Sequence, residues 1–160
     1  MVSRPAPAQP VLRDGQAEDL DVVMEVMETA FRPCFGEGWT RSQCSGILPM
    51  NGVRLRLAAL AGAPPRGFSL MRVVADEAEL LLIAVHPETQ RGGIGQALLD
   101  DFVGHARRQG ASHLHLEMRD GNPAMSLYSA NGFTIAGRRR DYYHGPNGEH
   151  YDALTLVLRD

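Results

Sequence analysis

Residues 79–99 read E-L-L-L-I-A-V-H-P-E-T-Q-R-G-G-I-G-Q-A-L-L, and this stretch decides the fold. Its apolar run at 80–85 is shorter than an ordinary helix and is typical of a buried strand. A glycine-rich loop follows at 90–95, and a helical pattern comes after it. The first turn of a helix presents free N–H groups and partial positive charge, and glycines let an anion approach the backbone closely. The stretch therefore predicts a strand, a loop and a helix that bind a pyrophosphate, with Arg91 adding a full positive charge.

Composition limits the classes of protein that need to be considered. The chain has 160 residues, of which 44% are hydrophobic and 22% charged, and its net charge is −3. These values are typical of one globular domain rather than a disordered chain. All 16 basic residues are arginine, which excludes a lysine nucleophile. The one basic run, at residues 138–140, is too short to indicate nucleic-acid binding, so no nucleic-acid partner is expected.

The sequence shows neither a membrane span nor a signal peptide, which favours a cytoplasmic location. No segment approaches the ~20 apolar residues of a membrane span, so no membrane contact is expected. Residues 1–10 are rich in proline and alanine and lack the apolar centre of a signal peptide, so we expect a flexible tail before a single domain at 11–160. Cys34 and Cys44 have no metal-ligand spacing around them, and both are expected to stay reduced and pack as small apolar residues.

Hydrophobic periodicity along the chain predicts the α/β class. Three- to four-residue spacing of apolar side chains predicts helices at 17–31, 41–48, 94–109 and 122–130. Alternation and short apolar runs predict strands at 11–13, 53–60, 67–75, 80–85, 113–118, 133–137 and 153–158. Thr40 is the expected N-cap of the second helix, and Asn147-Gly148 indicates a hairpin turn before the last strand. We therefore expect a mixed, mostly antiparallel sheet flanked by about four helices.

The glycine loop resembles a known family signature. Residues 90–95, Q-R-G-G-I-G, match the Q/R-x-x-G-x-G/A motif of the GNAT acyltransferase superfamily, and V-H-P at 85–87 matches the V-x-P before it. Leu-Tyr at 127–128 and Gly-Phe at 132–133 match the family's L-Y-x-x-x-G-F. The resemblance covers nearly the whole chain from Val11 onward. It implies the GNAT-type acyl-CoA N-acyltransferase fold, with acetyl-CoA as co-substrate.

The C-terminal half resembles one branch of the superfamily, the RimI-type N-terminal alanine acetyltransferases of ribosomal proteins. The segments that carry this resemblance are F-G-E-G-W-T at 35–40, L-E-M-R at 116–119, R-R-D-Y-Y at 139–143 and D-A at 152–153. The resemblance implies that the acceptor is the N-terminal α-amine of a protein. In this chain the family's N-x-x-A-x-x-L-Y spacing is one residue shorter, which bears on Asn122 and on the distance from Glu117 to Tyr128.

Two residues are candidates for the acid–base chemistry of amide formation. An amine is mostly protonated at neutral pH, so its attack on a thioester needs a base, and the leaving thiolate gains from a proton donor. Glu117 lies at the end of a predicted strand, opposite its apolar neighbours, and corresponds to the base of RimI-type enzymes. Tyr128 in the next helix is the candidate acid. We expect direct attack in a ternary complex, with a water relaying the proton if Glu117 does not reach the amine.

Further residues are expected to bind the two substrates. The resemblance implies that coenzyme A is held at Ile83, Ala84, Val85, Arg91, Gly92, Gly93, Ile94, Gly95, Gln96 and Asn122. Aromatic side chains flank the expected entry of a peptide at Phe35, Trp39, Tyr142 and Tyr143, although ordinary packing is an alternative role for them. His113 and His115 alternate with Glu117 on one strand face, but the histidines do not cluster as metal ligands, so no metal is expected.

Several functions stay open at this level. One alternative is an acetyltransferase of a small amine such as an antibiotic, a polyamine or an amino acid. Another is a non-catalytic acetyl-CoA-binding module, which the presence of both Glu117 and Tyr128 disfavours. A dinucleotide-binding domain is excluded because the loop lacks the G-x-G-x-x-G spacing and the neighbouring strands are antiparallel. Monomer and homodimer are both open.

Overall fold

The computed structural model of the chain describes residues 9–90 and 92–159. Its strands are β1 (Pro10–Gly15), β2 (Val53–Leu60), β3 (Gly67–Val74), β4 (Glu77–Val85), β5 (His113–Arg119), β6 (Phe133–His144) and β7 (His150–Leu158). Its α-helices are α1 (Leu20–Ala30), α2 (Arg41–Ile47), α3 (Ile94–Arg108) and α4 (Met125–Ala130). The strands form one sheet in the order β1-β2-β3-β4-β5-β7-β6. All neighbouring strands are antiparallel except β4 and β5, which run parallel.

The helices cover both faces of the sheet. α1 and α2 share one core with Leu57 and Phe68. α3 and α4 share a second core, on the opposite face, with Met71 and Leu80. Because successive strand residues face opposite sides, the alternation read from the sequence builds both layers. The predicted α/β class, with its mixed sheet and its four helices, is confirmed.

The first helix begins later than the periodicity predicts. Residues 17–19 form one turn of 3₁₀-helix, and α1 begins at Leu20. The Asp19 carboxylate accepts a hydrogen bond from the backbone N–H of Gln16 and forms an ion pair with Arg13. These side-chain bonds hold the tighter turn ahead of the helix.

The last hairpin is longer than the sequence predicts. β6 continues to His144 instead of ending at residue 137, and β7 begins at His150. The predicted turn at Asn147-Gly148 is confirmed, but it is part of a connection that spans residues 145–149. Most of the added part of β6 is exposed, so it lacks the apolar alternation that identifies a half-buried strand.

Some of the expectations from the sequence concern residues that the structure does not describe. Positions 1–8 of the expected tail and Arg91 of the glycine loop lie outside the described residues, whereas Pro10 already belongs to β1. Within 9–90 and 92–159, no helix has the length and apolar character needed to cross a membrane. Both cysteines are free, as expected, and Cys44 is buried; Cys34 is exposed, so only the expectation that it packs as a small apolar residue was wrong.

β4 and β5 separate partway along their length. Their parallel pairing ends where Leu80 lies opposite Leu116, whereas β4 stays paired with β3 as far as Val85. The register between β3 and β4 shifts so that Leu81 is an extra residue on β4. A bulge of this kind bends a strand and increases its twist. Residues 81–85 are therefore left with an unpaired edge, and a cleft opens between them and the end of β5.

Helix α3, next to this cleft, packs so closely on the sheet that the contact requires a glycine. Ile94, the first residue of α3, is 1% exposed and packs against Gly67 at the start of β3. A Cβ atom on Gly67 would lie 2.5 Å from Cγ2 of Ile94 and 3.2 Å from the carbonyl oxygen of Ala84. Ile94 is β-branched and has few alternative rotamers. Gly67 therefore allows the first turn of α3 to sit directly on the sheet.

Replacing Gly67 with alanine should destabilise the fold by about 1–3 kcal/mol, because the added methyl group overpacks a rigid contact. Urea unfolding of the purified variant measures this. Gly46→Ala is the matched control: among the described residues, nothing lies within 4 Å of a Cβ at this α2 position. Alanine in a helix interior should stabilise it by about 0.5–1 kcal/mol. Equal stability of Gly67→Ala and the wild type would contradict the packing argument.

Candidate active site

The parting of β4 and β5 creates a cleft lined by side chains from several elements. The lining residues are Phe31, Glu37, Trp39, Glu79, Leu80, Leu81, Leu82, Ile83, Leu116, Glu117, Met118, Arg119, Asn122, Tyr128, Tyr142 and Tyr143. A second cavity adjoins this one and shares Phe31, Glu37, Ile83, Arg119 and Asn122 with it. The cleft thus continues between the end of β4 and the loop before α4. Both predicted catalytic residues, Glu117 and Tyr128, lie in it.

Tyr128 of α4 forms part of the cleft wall. It is 5% exposed, and its ring packs edge to face on Phe133 with 5.9 Å between centroids. Burial raises the pKa of Tyr128 above its ordinary value, and the nearby Tyr143 and Glu37 raise it further. No other described residue forms a hydrogen bond with its hydroxyl group. The phenol therefore keeps its proton at neutral pH and is free to donate a hydrogen bond to a ligand.

Glu117 of β5 lies on the strand face opposite Leu116 and Met118, as predicted. Its Oε1 is 2.9 Å from Nε of Arg139 on β6. The Glu117 side chain is 18% exposed and the Arg139 side chain 62%, so the arginine approaches from the solvent side. Because the arginine of this pair is mostly exposed, solvent screening keeps the contribution of the pair to stability small. A cationic ligand entering from solvent can therefore reach the carboxylate.

A buried ion pair that the sequence analysis did not predict borders the cleft. The Arg119 Nε–H donates to Oε1 of Glu37 at 3.0 Å, and the Asn122 amide donates to the same oxygen at 3.0 Å. The side chains of Arg119 and Glu37 are only 9% and 8% exposed. The guanidinium also stacks on the Phe35 ring, 3.7 Å from its centroid. These contacts attach the loop between α1 and α2 to the end of β5.

The same loop contacts the hairpin of β6 and β7. Gly36 has φ +69, and a Cβ atom at this position would overlap the backbone carbonyl of His144. The rings of Phe35 and Tyr151 meet edge to face, with centroids 5.2 Å apart. The loop and the hairpin, which both contribute side chains to the cleft, thus touch each other beside it. This contact closes one side of the cleft.

The glycine loop leads into the N-terminus of α3. Gly93 precedes the helix with φ +82, a left-handed conformation that favours glycine. Ala97 donates its N–H to the Gly93 carbonyl, so the N–H groups of Ile94, Gly95 and Gln96 have no partner within the helix. These donors and the positive end of the helix dipole suit an anionic group.

The side chain of Gln96 is already engaged within the protein. Its amide and that of Asn131 exchange two hydrogen bonds, of 2.7 and 3.0 Å, and Gln96 also donates to Asp100 at 2.8 Å. Only the backbone N–H of Gln96 is therefore available to a ligand. The reciprocal amide pair also ties the start of α3 to the end of α4, the helix that carries Tyr128.

Asn122 has protein partners at both ends of its side chain. Its Oδ1 accepts the Ala124 N–H at 2.8 Å, while its Nδ2 donates to Glu37. The turn made by the first of these bonds occupies the residues before α4, which begins at Met125 and not at residue 122. The expected contact between Asn122 and coenzyme A stays a prediction.

The remaining residues predicted to bind the substrates lie at different places around the cleft. Trp39, Tyr142 and Tyr143 line the cleft, whereas Phe35 lines only the adjoining cavity. The backbone at 83–85 belongs to the unpaired edge of β4. Among the residues that the structure describes, no group of three histidine, cysteine, aspartate or glutamate side chains is placed to hold a metal ion.

Glu37 and Arg119 are the candidate functional residues that sequence reasoning missed. They are 82 positions apart, so no local spacing relates them. Two signals were available: both residues lie in the segments 35–40 and 116–119 that carry the family resemblance, and Arg119 directly follows the alternating apolar residues of β5.

The parted strands, with a helix N-terminus beside them, define a GNAT-type α/β fold. A family model described as an acetyltransferase (GNAT) domain matches residues 57–135. A Bacillus subtilis relative, provisionally designated a ribosomal protein bS18-alanine N-acetyltransferase, is 30% identical over 146 residues. That match covers 91% of this chain and 92% of the relative. The chain therefore belongs to the GNAT acetyltransferase family.

One sequence match and one structure match support the resemblance to the RimI type. The ribosomal protein bS18-alanine N-acetyltransferase of Escherichia coli K12 is 41% identical over 92 residues. The match covers 57% of this chain and 62% of that enzyme, which is less than two thirds of its length. The crystal structure of the ribosomal-protein-S18-alanine N-acetyltransferase from Escherichia coli gives a TM-score of 0.81 at 29% identity, over 94% of this chain and 93% of that one.

Proposed function

We propose that the protein transfers the acetyl group of acetyl-CoA to the N-terminal α-amine of a protein, of the ribosomal-protein alanine type. The observation that carries this proposal is the placement of Glu117 and Tyr128 in one cleft beside the unpaired edge of β4. The activity named for the Escherichia coli relative supports the choice of acceptor. A ribosomal-protein acceptor also fits the cytoplasmic location expected from the sequence.

The shape of the cleft fits acetyl-CoA as the donor. The free N–H groups at the start of α3 would hold its pyrophosphate, with Arg91 adding positive charge. The amide-rich pantetheine arm is extended, and the edge at 81–85 offers backbone groups to it as a neighbouring strand would. Acetyl-CoA bound in this way would bring its acetyl group to Glu117 and Tyr128. Holding both substrates in one cleft supplies a large part of the acceleration.

The residues support direct transfer without a covalent enzyme intermediate. Glu117 accepts a proton from the acceptor, directly or through water, and the amine nitrogen attacks the thioester carbonyl carbon. The carbon–sulfur bond breaks as the tetrahedral intermediate collapses, and the second proton of the attacking nitrogen passes to the departing sulfur, so that the products are the amide and the coenzyme A thiol. A thiol has a pKa of ~8.5, whereas burial raises the pKa of Tyr128 above the ~10 of an ordinary phenol. Because complete transfer of the Tyr128 proton is then uphill, its main role is hydrogen-bond donation to the leaving sulfur.

The walls of the cleft favour a chain terminus over a polyamine. Three carboxylates line it, which would suit a polycation, but two of them are paired with arginines. Glu37 is paired with Arg119, Glu117 with Arg139, and Glu79 lies 3.9 Å from His115. The cleft is therefore not strongly acidic. The contact between the loop and the hairpin closes one side of the cleft. An acceptor would therefore insert its chain terminus first, between the aromatic residues Trp39, Tyr142 and Tyr143.

The function can be tested by an acetyl-CoA turnover screen. A peptide beginning with alanine should be acetylated on its α-amine, while the same peptide with a blocked N-terminus and an internal lysine should not react. Spermidine and free alanine serve as small-amine competitors. Turnover with these amines alone would favour the small-amine alternative. Binding of acetyl-CoA without turnover of any amine would favour a non-catalytic module.

Replacing Glu117 with glutamine should lower kcat at least 100-fold, within the range typical of a lost general base, and should remove the acidic limb of the pH profile of kcat/KM. The amide keeps the size of the side chain but cannot accept a proton. Initial rates across pH with the alanine peptide measure both effects. Glu79→Gln is the matched control, since Glu79 also lines the cleft, and its profile should keep the acidic limb. An intact limb in Glu117→Gln would assign the base to another residue.

A further inference from the structure

β6 carries extra residues where it borders the cleft. The ladder between β6 and β7 shifts register between Arg139 and Tyr143, so residues 140–142 lie opposite the single residue Asp152. Within this bulge, Asp141 has φ +53. A non-glycine residue adopts such a conformation only where the surroundings hold it, because the conformation is strained. Other contacts must therefore stabilise the bulge.

The bulge determines which way Tyr142 faces. Adjacent residues of a regular strand face opposite sides of the sheet, yet Tyr142 and Tyr143 both line the cleft. Their rings are nearly perpendicular, with centroids 5.0 Å apart. The Arg139 guanidinium, which also reaches Glu117, lies 5.6 Å from the centre of the Tyr142 ring. The bulge thus adds a second aromatic ring to the cleft wall.

Asp152 fastens the bulge in place. Its Oδ1 accepts the backbone N–H of Asp141 at 3.0 Å, and its Oδ2 pairs with Arg138 at 2.7 Å. The carbonyl of Asp152 also accepts the N–H of Asp120 at 2.9 Å, and Arg138 bonds the Asp120 carboxylate at 2.7 Å. The bonds to Asp141 and Arg138 lower the pKa of Asp152, so the carboxylate stays ionised at neutral pH. The strained residue is therefore held by a charged acceptor.

We infer that Asp152 is a positioning residue for the acceptor: it holds the bulge at Asp141 and so turns Tyr142 into the cleft, where the ring contacts the acceptor chain beyond its first residue. Tyr142 is 46% exposed, whereas Tyr128 is buried, so Tyr142 lies at the mouth of the cleft. The inference rests on the proposed function. It adds that affinity for a peptide, rather than for a single residue, depends on Asp152.

The test compares a long and a short acceptor. For Asp152→Ala, the KM of a hexapeptide beginning with alanine should rise about tenfold, while kcat and the Kd of acetyl-CoA change less than about threefold. This pattern is expected when the lost contact binds the ground state and the transition state equally well. The KM of alaninamide, which ends after one residue, should stay unchanged. Trp39 is the single tryptophan and lines the cleft, so its fluorescence gives the peptide Kd without turnover. That Kd should rise in parallel with KM.

Two further variants separate positioning from general damage. Asp152→Asn keeps an oxygen that accepts the Asp141 N–H and should restore the KM of the hexapeptide to near the wild-type value. Adding Asp141→Gly to Asp152→Ala removes the strain at φ +53 and should recover part of the affinity. Unchanged hexapeptide KM and Kd in Asp152→Ala, or an equal loss for alaninamide, would overturn this inference alone. If the wild type neither binds nor acetylates the hexapeptide, the proposed function is overturned with it.

Discussion

The Tyr128→Phe variant is expected to fold normally and to lose about 100-fold in kcat, within the range typical of removing one hydrogen-bond donor to a developing negative charge. The ring packs on Phe133, and phenylalanine preserves that contact. The hydroxyl group has no hydrogen-bond partner among the described residues, so its removal leaves no protein group unsatisfied. Its loss should therefore affect the leaving sulfur alone. Stopped or continuous thiol-release assays give kcat, and calorimetric titration gives the Kd of acetyl-CoA, which should barely change.

Tyr151→Phe is the matched control for this variant. Tyr151 belongs to the neighbouring strand β7 and packs on Phe35, outside the residues that line the cleft. Its rate should equal that of the wild type. Equal turnover by Tyr128→Phe and the wild type would refute the role of Tyr128 as donor and leave stabilisation of the leaving group to backbone groups.

Replacing Glu37 with alanine should destabilise the protein by about 3 kcal/mol, because it leaves the buried guanidinium of Arg119 without its carboxylate. For a domain of this size that loss corresponds to a decrease in Tm of about 6–12 °C. Asn122 loses the acceptor of its amide at the same time. Thermal unfolding followed by circular dichroism measures the change.

Two variants test whether burial is the cause. Glu37→Gln keeps an acceptor oxygen for Arg119 and Asn122 and should lose clearly less stability than Glu37→Ala. Asp21→Ala breaks the ion pair of Asp21 with Arg41, whose side chains are 86% and 54% exposed, and should cost less than about 1 kcal/mol. Similar melting temperatures for Glu37→Ala and Asp21→Ala would show that the pair at the cleft is no stronger than a surface pair.

The parts of the structure that neighbouring residues determine could be predicted from the sequence. β2 has its predicted bounds, Val53–Leu60, because the buried Leu55 and Leu57 alternate with Arg54 and Arg56, and this alternation is visible in the sequence. Thr40 caps α2 as expected, and its side chain accepts the N–H of Gln43 while Gln43 bonds back to Thr40. The placement of Glu117 and Tyr128 in one cleft followed from the family resemblance, since nothing in their spacing alone indicates that they meet.

The parts that depend on distant contacts could not be predicted. The pair of Glu37 and Arg119 forms only after the loop between α1 and α2 meets the end of β5, so its stabilisation comes from tertiary burial. Asp141 adopts a positive φ without being glycine, because a carboxylate from another strand holds it. The extended part of β6 lies at the edge of the sheet, where one side needs no partner and where exposed side chains leave no hydrophobic pattern.

The parting of β4 and β5 also has a consequence for self-association. An unpaired strand edge normally recruits strands from other molecules, and exposed edges promote aggregation. Here the vacant edge at 81–85 lies within the molecule, in a cleft that Glu37 and Trp39 help to line and that the loop–hairpin contact closes on one side. The loop that shapes the cleft thus also covers this edge of β4 from strands of other molecules.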